Sequence, residues 1–175
     1  MTIIKIVKGD ITELKIDAIV NAANNTLRGG GGVDGAIHFA AGLELLKECI
    51  SIGFCDTGDA KLTKGYNLPA KYVIHTVGPI YGHENKNEED LLKNCYINCL
   101  MLAKESRIKS LAFPGISTGV FRFPKELACQ IAIGAVNNFI KENPESFDEI
   151  IFALFDDVNY EIYKKVIANK NLLTK

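Results

Sequence analysis

The sequence predicts a three-layer α/β/α sandwich around a central mixed, largely parallel sheet. Short β-branched runs alternate with longer helical patterns along the chain. Its 175 residues are enough for one domain with a substantial hydrophobic core. Neither an internal repeat nor a low-complexity linker divides it. We therefore expect a single domain over residues 1–175.

The first half of the chain carries four of the predicted strands. The runs TIIKIV and DAIVNAA are rich in β-branched residues and predict the first two. The stretch VDGAIHFAAGLELLKECISIG follows them and has helical periodicity. DAKLTKG and KYVIHTVG then predict two further strands. Along the sequence, a helical segment therefore lies between two pairs of strands.

The second half continues the alternation as helix, strand, helix, strand and helix, over EEDLLKNCYINCLMLAKES, SLAFPGI, PKELACQIAIGAVNNFIKEN, DEIIFALF and NYEIYKKVIAN. Pro124 suits the first turn of its helix. In open sheets of this class, ligands bind beyond the carboxyl ends of the strands. Segments that follow a strand and precede a helix are therefore the candidate binding loops.

Composition excludes several classes of protein. The apolar fraction is 47%, the charged fraction 23% and the formal net charge −1, which argues against binding nucleic acid through a basic surface. The apolar stretch in the first ten residues, MTIIKIVKGD, is too short for a signal peptide, and no apolar run has the length of a membrane span. Five cysteines without framework spacing indicate reduced, buried thiols, so we expect a cytoplasmic protein with no membrane anchor.

Two further expectations follow from the same features. Cys95 and Cys99 lie four residues apart on a predicted helix, and we expect them to pack in the core and not to bind a metal. No surface element suggests self-association, so a monomer is the default expectation.

Two glycine-bearing segments lie between a strand and a helix: RGGGGVDG and PGISTGVFRFP. Glycine permits positive φ and lets main-chain N–H groups approach a ligand closely. Two such loops near helix N-termini would make a cradle for an anion, with a diphosphate as the natural guest. The alternative is a pair of tight connections without a ligand.

The motifs narrow the choice of phosphate ligand. No lysine follows the glycines, so the pattern of a P-loop nucleotide hydrolase is absent. Gly30, Gly32 and Gly35 match the spacing of a dinucleotide-binding loop. However, NNTLR separates them from the strand, and little chain remains for a substrate domain. A hydride-transferring enzyme is therefore the weaker alternative.

A longer pattern resembles a known family. The stretch IVNAANNTLRGGGGVDGAIHFAAG looks like the signature of macro domains, and in particular of the MacroD-type subgroup, which binds ADP-ribose and hydrolyses ADP-ribosyl esters. The resemblance continues in the same order through GDAKLTKGYNLPAKYVIHTVGP, SLAFPGISTGVF and FALFDD. It covers essentially the whole chain from KGDIT to the last helix.

The resemblance implies a role for two groups of residues that bind substrate. Asp10 would bind the adenine amino group with Ile11 beside it, and Phe155 would stack on adenine. Two loops would enclose the phosphates and the distal ribose, and Phe121 would cover that ribose. The loop residues are Gly30, Gly31, Gly32, Val33, Ser117, Thr118, Gly119, Val120 and Phe121.

The resemblance also implies that Asn24 hydrogen-bonds a distal ribose hydroxyl and that Asp34 lies near the anomeric carbon and the attacking water. Asp34 comes where a helix begins, and the helix dipole favours its ionised form. Such a carboxylate is a weak base, so its expected job is to orient a water and accept a proton late, and both roles, base and orienting group, stay open at this point. An ordinary carboxylate in the first turn of a helix is the alternative.

Other residues keep two interpretations. Asp10 and Glu13 also fit a capping box, and Phe155 ends an apolar strand as core residues do. His38 lies four residues after Asp34 and either tunes it or is structural. His75, within an apolar strand, is expected to be buried and hydrogen-bonded.

FRFP departs from the aromatic pattern of many relatives, because Phe121 and Phe123 lack hydroxyls and Arg122 replaces a small residue.

Taken with the residues, the resemblance implies a hydrolase that removes mono-ADP-ribose from acidic side chains of proteins and deacetylates O-acetyl-ADP-ribose. The zinc-dependent relatives carry an insertion near the first motif, whereas GGGGVDGAIH is uninterrupted, so neither a metal nor another cofactor is implied. The expected partners are ADP-ribose, its esters and mono-ADP-ribosylated proteins. The alternative is a non-catalytic module that only binds ADP-ribose. RNA binding or another phosphoesterase activity ranks third.

Overall fold

The computed structural model describes residues 1–173. Six strands form one sheet: β1 (Ile3–Lys8), β2 (Ala18–Ala22), β3 (Ala60–Lys64), β4 (Tyr72–Thr76), β5 (Ser110–Phe113) and β6 (Glu149–Leu154). Five α-helices accompany them: α1 (Gly32–Ala41), α2 (Leu43–Ile52), α3 (Glu88–Glu105), α4 (Lys125–Glu142) and α5 (Asp157–Leu173). A short 3-10 helix spans Ile11–Glu13.

The strand order is β1-β6-β5-β2-β4-β3. Four neighbouring pairs are parallel, and only β3 runs antiparallel, against β4. The exception follows from chain length, because a short turn joins β3 to β4 while the parallel pairs are connected through longer, helical segments. In that turn a Cβ atom at Gly65 would lie 2.0 Å from the Ala70 carbonyl oxygen. The predicted mixed, largely parallel sheet is confirmed.

Helices cover both faces of the sheet and bury two apolar clusters. One cluster contains side chains of α3, α4 and α5, and the other those of α1 and α2. Successive residues of β2 alternate between them: Ala18 and Val20 face the first cluster and Ile19 the second. This alternation confirms the predicted three-layer sandwich. Cys95 and Cys99 are fully buried in the first cluster, as expected.

The predicted helical stretch after the first glycine loop is interrupted. Gly42 ends α1 and precedes α2 with a φ of 85°, a conformation that favours glycine. A Cβ atom there would also lie 2.8 Å from Nδ2 of Asn67. The helical periodicity of the sequence therefore runs unbroken across Gly42, although the backbone forms two separate helices there. Within residues 1–173, no helix combines the length and the hydropathy needed to cross a membrane.

Candidate functional site

A cavity of about 730 Å³ lies at the carboxyl ends of four adjacent strands. Its wall consists of the segments that follow β1, β2, β5 and β6, together with the first turn of α1. This is the position at which sheets of this topology bind ligands, and the volume suits a nucleotide-sized molecule. The strand order places Asp10 and Phe155 on the side of the edge strand β1, and the first glycine loop on the side of the central strand β2. We call these the edge side and the central side of the cavity.

The first glycine loop closes tightly on the helix that follows it. Gly31, Gly32 and Val33 line the cavity, and Gly32 has a φ of 57° at the start of α1. A Cβ atom at Gly35 would lie 2.4 Å from the carbonyl oxygen of Gly30. The loop therefore needs glycine at residue 35 for close approach and at residue 32 for its backbone conformation.

The second loop forms the opposing wall, where all five predicted residues line the cavity: Ser117, Thr118, Gly119, Val120 and Phe121. Two backbone hydrogen bonds fold it back, from Phe123 N to Ser117 O at 2.9 Å and from Arg122 N to Gly119 O at 3.0 Å. Phe123 is buried against Tyr81, whereas Arg122 is exposed. Phe121, Arg122 and Phe123 depart from the family pattern, and of these Phe123 belongs to the core and Phe121 lines the cavity.

The edge side combines a capping carboxylate with an exposed aromatic ring. Asp10 Oδ1 accepts from Thr12 N at 2.9 Å and from Thr12 Oγ1 at 2.7 Å, so it caps the 3-10 helix. Both bonds use one carboxylate oxygen, and Asp10 and the buried Ile11 line the cavity. Phe155 is 81% exposed and also lines the cavity. Its interpretation as a core residue is therefore wrong, because β6 ends at Leu154.

On the central side, the structure brings Asn24, Gly30 and Asp34 together, but none of the three belongs to the cavity lining. Asn24 Nδ2 donates to the Gly29 carbonyl at 2.8 Å, and Asn24 Oδ1 accepts from Thr26 at 2.8 Å. A Cβ atom at Gly30 would lie 3.2 Å from Asp34 Oδ2 and 3.6 Å from Asn24 Nδ2. The exposed Gly30 thus separates the two side chains, and its missing side chain leaves the space beside them open.

Asp34 is 5% exposed and accepts a hydrogen bond of 2.8 Å from Asn21 Nδ2. Burial raises the pKa of the Asp34 carboxyl, while the Asn21 hydrogen bond and the nearby His38 act in the opposite direction. The sequence predicts that the start of the helix favours the ionised form; burial opposes that effect, and the net change in the pKa of Asp34 is upward. The loss of solvation outweighs the charge-stabilising contacts.

Two histidines lie close to this carboxylate. His38 Nε2 is 3.5 Å from Asp34 Oδ1, so the two side chains share a helix face as expected. His75 is fully buried: its Nδ1 lies 3.1 Å from Asn21 Nδ2 and its Nε2 lies 2.9 Å from Thr63 Oγ1. Burial lowers the pKa of His75 to about 3, so the ring is neutral at physiological pH. The prediction of a buried, hydrogen-bonded His75 is confirmed.

The same region contains one group of described residues with a geometry that could hold a metal ion. Potential ligand atoms of His38, Cys49 and His75 lie within 4.8 Å of one another. Both ring nitrogens of His75 already contact Asn21 and Thr63, and burial raises the pKa of the Cys49 thiol to about 11. A metal would have to displace the Thr63 contact and deprotonate the thiol. We therefore assign His75 to hydrogen bonding and Cys49 to the core, and His38 to its 3.5 Å approach to Asp34.

The sequence interpretation missed polar residues at the starts of α4 and α5. Lys125 Nζ donates to the Thr118 carbonyl at 2.8 Å and lines the cavity. Asn159 is 3% exposed, and its Nδ2 contacts Thr118 Oγ1 at 3.2 Å and Asp156 Oδ2 at 2.7 Å. Asp156 followed three residues later by Asn159 is a helix-start pattern that could have indicated this wall. Asn21 was missed as well, although it lies three residues before Asn24.

The fold and the cavity define the class of protein. Two glycine-bearing loops face each other at the carboxyl ends of parallel strands, and the first of them, which needs glycine at Gly32 and Gly35, leads into α1. This is the arrangement of an α/β domain that binds a phosphate-containing ligand.

The family model described as "Macro domain" matches residues 20–132, and the chain belongs to the macro domain family. ADP-ribose glycohydrolase MACROD2 of Homo sapiens is 55% identical over 93% of this chain and 38% of its own length. A macro domain-containing protein of Chlorobaculum tepidum is 50% identical over 95% of this chain and 96% of its own length.

A solved structure of similar shape is the Trypanosoma brucei macrodomain in complex with ADP-ribose. It has 44% identity and a TM-score of 0.89, covering 94% of this chain and 68% of its own. The chain spans between 34% and 38% of the length of the three MACROD2 relatives. The shared region is therefore one part of those longer proteins.

Proposed function

We propose that this domain binds ADP-ribose in the cavity and hydrolyses its esters. The substrates would be proteins carrying mono-ADP-ribose on acidic side chains, and O-acetyl-ADP-ribose. The observation that carries the proposal is the arrangement of Asn24, Gly30 and Asp34, in which a buried carboxylate lies next to the open space that Gly30 leaves. A purely binding loop does not require a buried carboxylate at this point.

The edge side supplies the groups that an adenine ring needs. Phe155 presents its ring to the cavity with 81% of the residue exposed, so stacking would bury apolar area that solvent now contacts. Asp10 uses only one carboxylate oxygen for capping, and the other oxygen would accept from the adenine amino group. Ile11, which lines the cavity beside Asp10, would contact the ring.

The two loops supply the groups that a diphosphate needs. Gly31 and Gly32 bring main-chain N–H groups to the cavity at the start of α1, where the helix dipole favours negative charge. Ser117 to Phe121 form the facing wall. Lys125 is the cationic side chain of the cavity lining and would attract the same charge.

The proposed reaction adds water across an ester. The ribose keeps a hydroxyl group, the acyl group leaves as a carboxylic acid, and that acid loses its proton to solvent. Asp34 would orient the water, accept one of its protons and return that proton to the oxygen released when the ester C–O bond breaks. Asn24 would hold a hydroxyl of the distal ribose. Because burial raises the pKa of Asp34, this carboxylate is a stronger base than an exposed aspartate.

The comparisons support the same conclusion. Relatives at 54% to 55% identity are named ADP-ribose glycohydrolases, and a structural neighbour at 44% identity binds ADP-ribose. The activity belongs to proteins much longer than this chain, so for this chain it is a proposal.

A second candidate function is that of a module that only binds ADP-ribose. The observation in its favour is that Asp34 is 5% exposed and does not belong to the cavity lining. If Gly30 and its neighbours stay in place when the ligand binds, water would not reach the carboxylate.

One pair of measurements separates the two functions. Calorimetry with ADP-ribose should show binding under either of them, and its absence would reject both. Release of label from a glutamate-ADP-ribosylated protein, and of acetate from O-acetyl-ADP-ribose, is expected only from the hydrolase. Binding without release of either product would establish the binding module instead.

We further propose that the domain acts as a monomer in the cytoplasm. Burial of all five cysteines fits a reducing compartment. Light scattering of the purified chain tests the first statement, since a mass of twice 19.2 kDa would contradict it. Microscopy of the tagged protein in its source cells tests the second.

A further inference from the structure

Three strands contribute to a buried chain of hydrogen bonds behind Asp34. Asn21 and His75 are direct register partners in the parallel strands β2 and β4, so their side chains project from the same face of the sheet. Asn21 Nδ2 contacts both Asp34 Oδ1, at 2.8 Å, and His75 Nδ1, at 3.1 Å. Thr63 of β3 contacts the opposite ring nitrogen of His75 at 2.9 Å. All of these side chains are at most 5% exposed.

The proton positions along this series of hydrogen bonds, from Asp34 through Asn21 and His75 to Thr63, depend on one another. An amide nitrogen that donates to both Asp34 and His75 requires Nδ1 of His75 to be an acceptor, so the ring proton lies on Nε2. Nε2 faces the Thr63 hydroxyl, which can accept because its own proton has carbonyl acceptors on Lys64 and Val73. If the Asn21 amide turned over, its oxygen would face the Asp34 carboxylate.

We propose that His75 is a positioning residue for the hydrolase. It accepts from Asn21 at Nδ1 and thereby fixes the amide orientation that holds the Asp34 carboxylate beside Gly30. The inference rests on the proposed function, because Asp34 acts there on water. His75 itself lies behind Asn21 and does not line the cavity. Its effect on turnover is therefore indirect, through the position and ionisation of Asp34.

Few other polar groups face Asp34 and His75 among the described residues, and none of them replaces the contact between Asn21 and His75. Asn21 from β2 and His38 from α1 face the carboxylate directly. Cys49 from α2 lies 3.8 Å from His75 Nε2, and burial keeps its thiol protonated. The Asn21 hydrogen bond lowers the pKa of Asp34 against the effect of burial. Loss of that bond should therefore raise the pKa of Asp34 further.

Three substitutions separate the hydrogen bond from simple packing. His75→Asn places an amide oxygen at the distance of Nδ1 from Cβ, so it keeps an acceptor for Asn21. His75→Gln places its amide nearer the position of Nε2, and His75→Leu removes both groups. For hydrolysis of O-acetyl-ADP-ribose, we expect kcat to fall about tenfold in the Gln and Leu variants. KM should stay within about threefold, and His75→Asn should keep most of the wild-type kcat.

Carbon NMR of the Asp34 carboxyl supplies a readout that does not depend on turnover. The midpoint of its titration should rise in His75→Gln and His75→Leu and stay near the wild-type value in His75→Asn. Equal losses in the Asn and Leu variants, or unchanged midpoints in all three, would overturn the positioning role. If the wild type binds ADP-ribose but hydrolyses nothing, the proposed function fails, and the titration alone still decides the role of His75.

Thr63→Val keeps the test valid if a His75 variant does not fold. It removes the hydroxyl group that faces Nε2 while keeping the shape of the side chain in β3. We expect the same directions as in His75→Gln, with smaller changes. Without the Thr63 acceptor the ring proton can move to Nδ1, a change that His75→Asn cannot undergo. A Thr63→Val protein with wild-type kcat and a wild-type Asp34 midpoint would therefore contradict the inferred role of the Nδ1 acceptor.

Discussion

The two sides of the cavity are constructed differently. On the edge side, the groups proposed to bind the ligand are open to solvent: Phe155 is 81% exposed and Asp10 has one carboxylate oxygen outside its capping bonds. On the central side, Asp34 is 5% exposed and is held from behind by Asn21. The exposed side suits recognition of a ligand, whereas the buried side suits a group whose position and ionisation must be controlled.

The difference has a physical reason. An exposed aromatic ring gains free energy when a ligand covers it, so recognition favours exposure. A carboxylate that must act as a base gains basicity from burial, because desolvation disfavours its charged form. Substitutions on the central side should therefore change mainly turnover, and substitutions on the edge side should change mainly affinity.

The largest effect is expected from Asp34→Ala, which should lower kcat about a thousandfold, because it removes the group that orients water and accepts its proton. Asn24→Ala should also cause a large loss. Steady-state kinetics and calorimetry measure both variants, and the affinity for ADP-ribose should change much less than the rate. If both variants turn over as the wild type does, the central side is not the catalytic side.

Gly35→Ala should lower kcat/KM about a hundredfold, because the new Cβ atom would lie 2.4 Å from the Gly30 carbonyl and displace the loop. Gly134→Ala is the matched control, since its Cβ atom meets nothing within 4 Å and alanine favours the helix α4. The control should be as active and at least as stable as the wild type. Equal behaviour of the two variants would show that the loop tolerates displacement.

Phe155→Ala should weaken the affinity for ADP-ribose about tenfold, because stacking on the adenine ring is lost. At saturating substrate, kcat should stay near the wild-type value. Val158→Ala is the control, because Val158 is exposed nearby without lining the cavity. A loss of kcat at saturation in Phe155→Ala would contradict the division between the two sides.

The smallest effect is a displacement of the pH profile. Since burial raises the pKa of Asp34 in the ligand-free protein above 3.8, kcat/KM should fall at acid pH with a midpoint above that value. The ionised form is the active one, so activity is lost as pH decreases through the raised pKa. His75 stays neutral over this range because its pKa is about 3. A midpoint at or below 3.8 would show that burial does not control Asp34.

The sequence predicted the parts of the site that are local. The spacing from Asn24 through the glycines to Asp34 already indicated that the two side chains flank one loop, and the structure brings them together. The spacing of four positions from Asp34 to His38 likewise predicted a shared helix face. Such features depend on backbone geometry over one or two turns.

Features that depend on contacts between distant parts of the chain could not be predicted from the sequence pattern. The contact between Asn21 and His75 joins residues 54 positions apart and depends on the register of β2 against β4. The exposure of Phe155 depends on where β6 ends and α5 begins. Apolar character alone favoured a core position, whereas the resemblance implied a ring that stacks on adenine, and Phe155 is 81% exposed.

The sequence by itself determined the layered fold, the two glycine-bearing loops and the resemblance to macro domains, because β-branched runs, helical periodicity and glycine spacing act locally. Tertiary structure alone decided the direction in which the pKa of Asp34 moves. A first-turn carboxylate is charge-stabilised by its own helix, yet here burial beneath the glycine loop raises its pKa. Solvation depends on every element packed around a group, and that arrangement exists only in the folded chain.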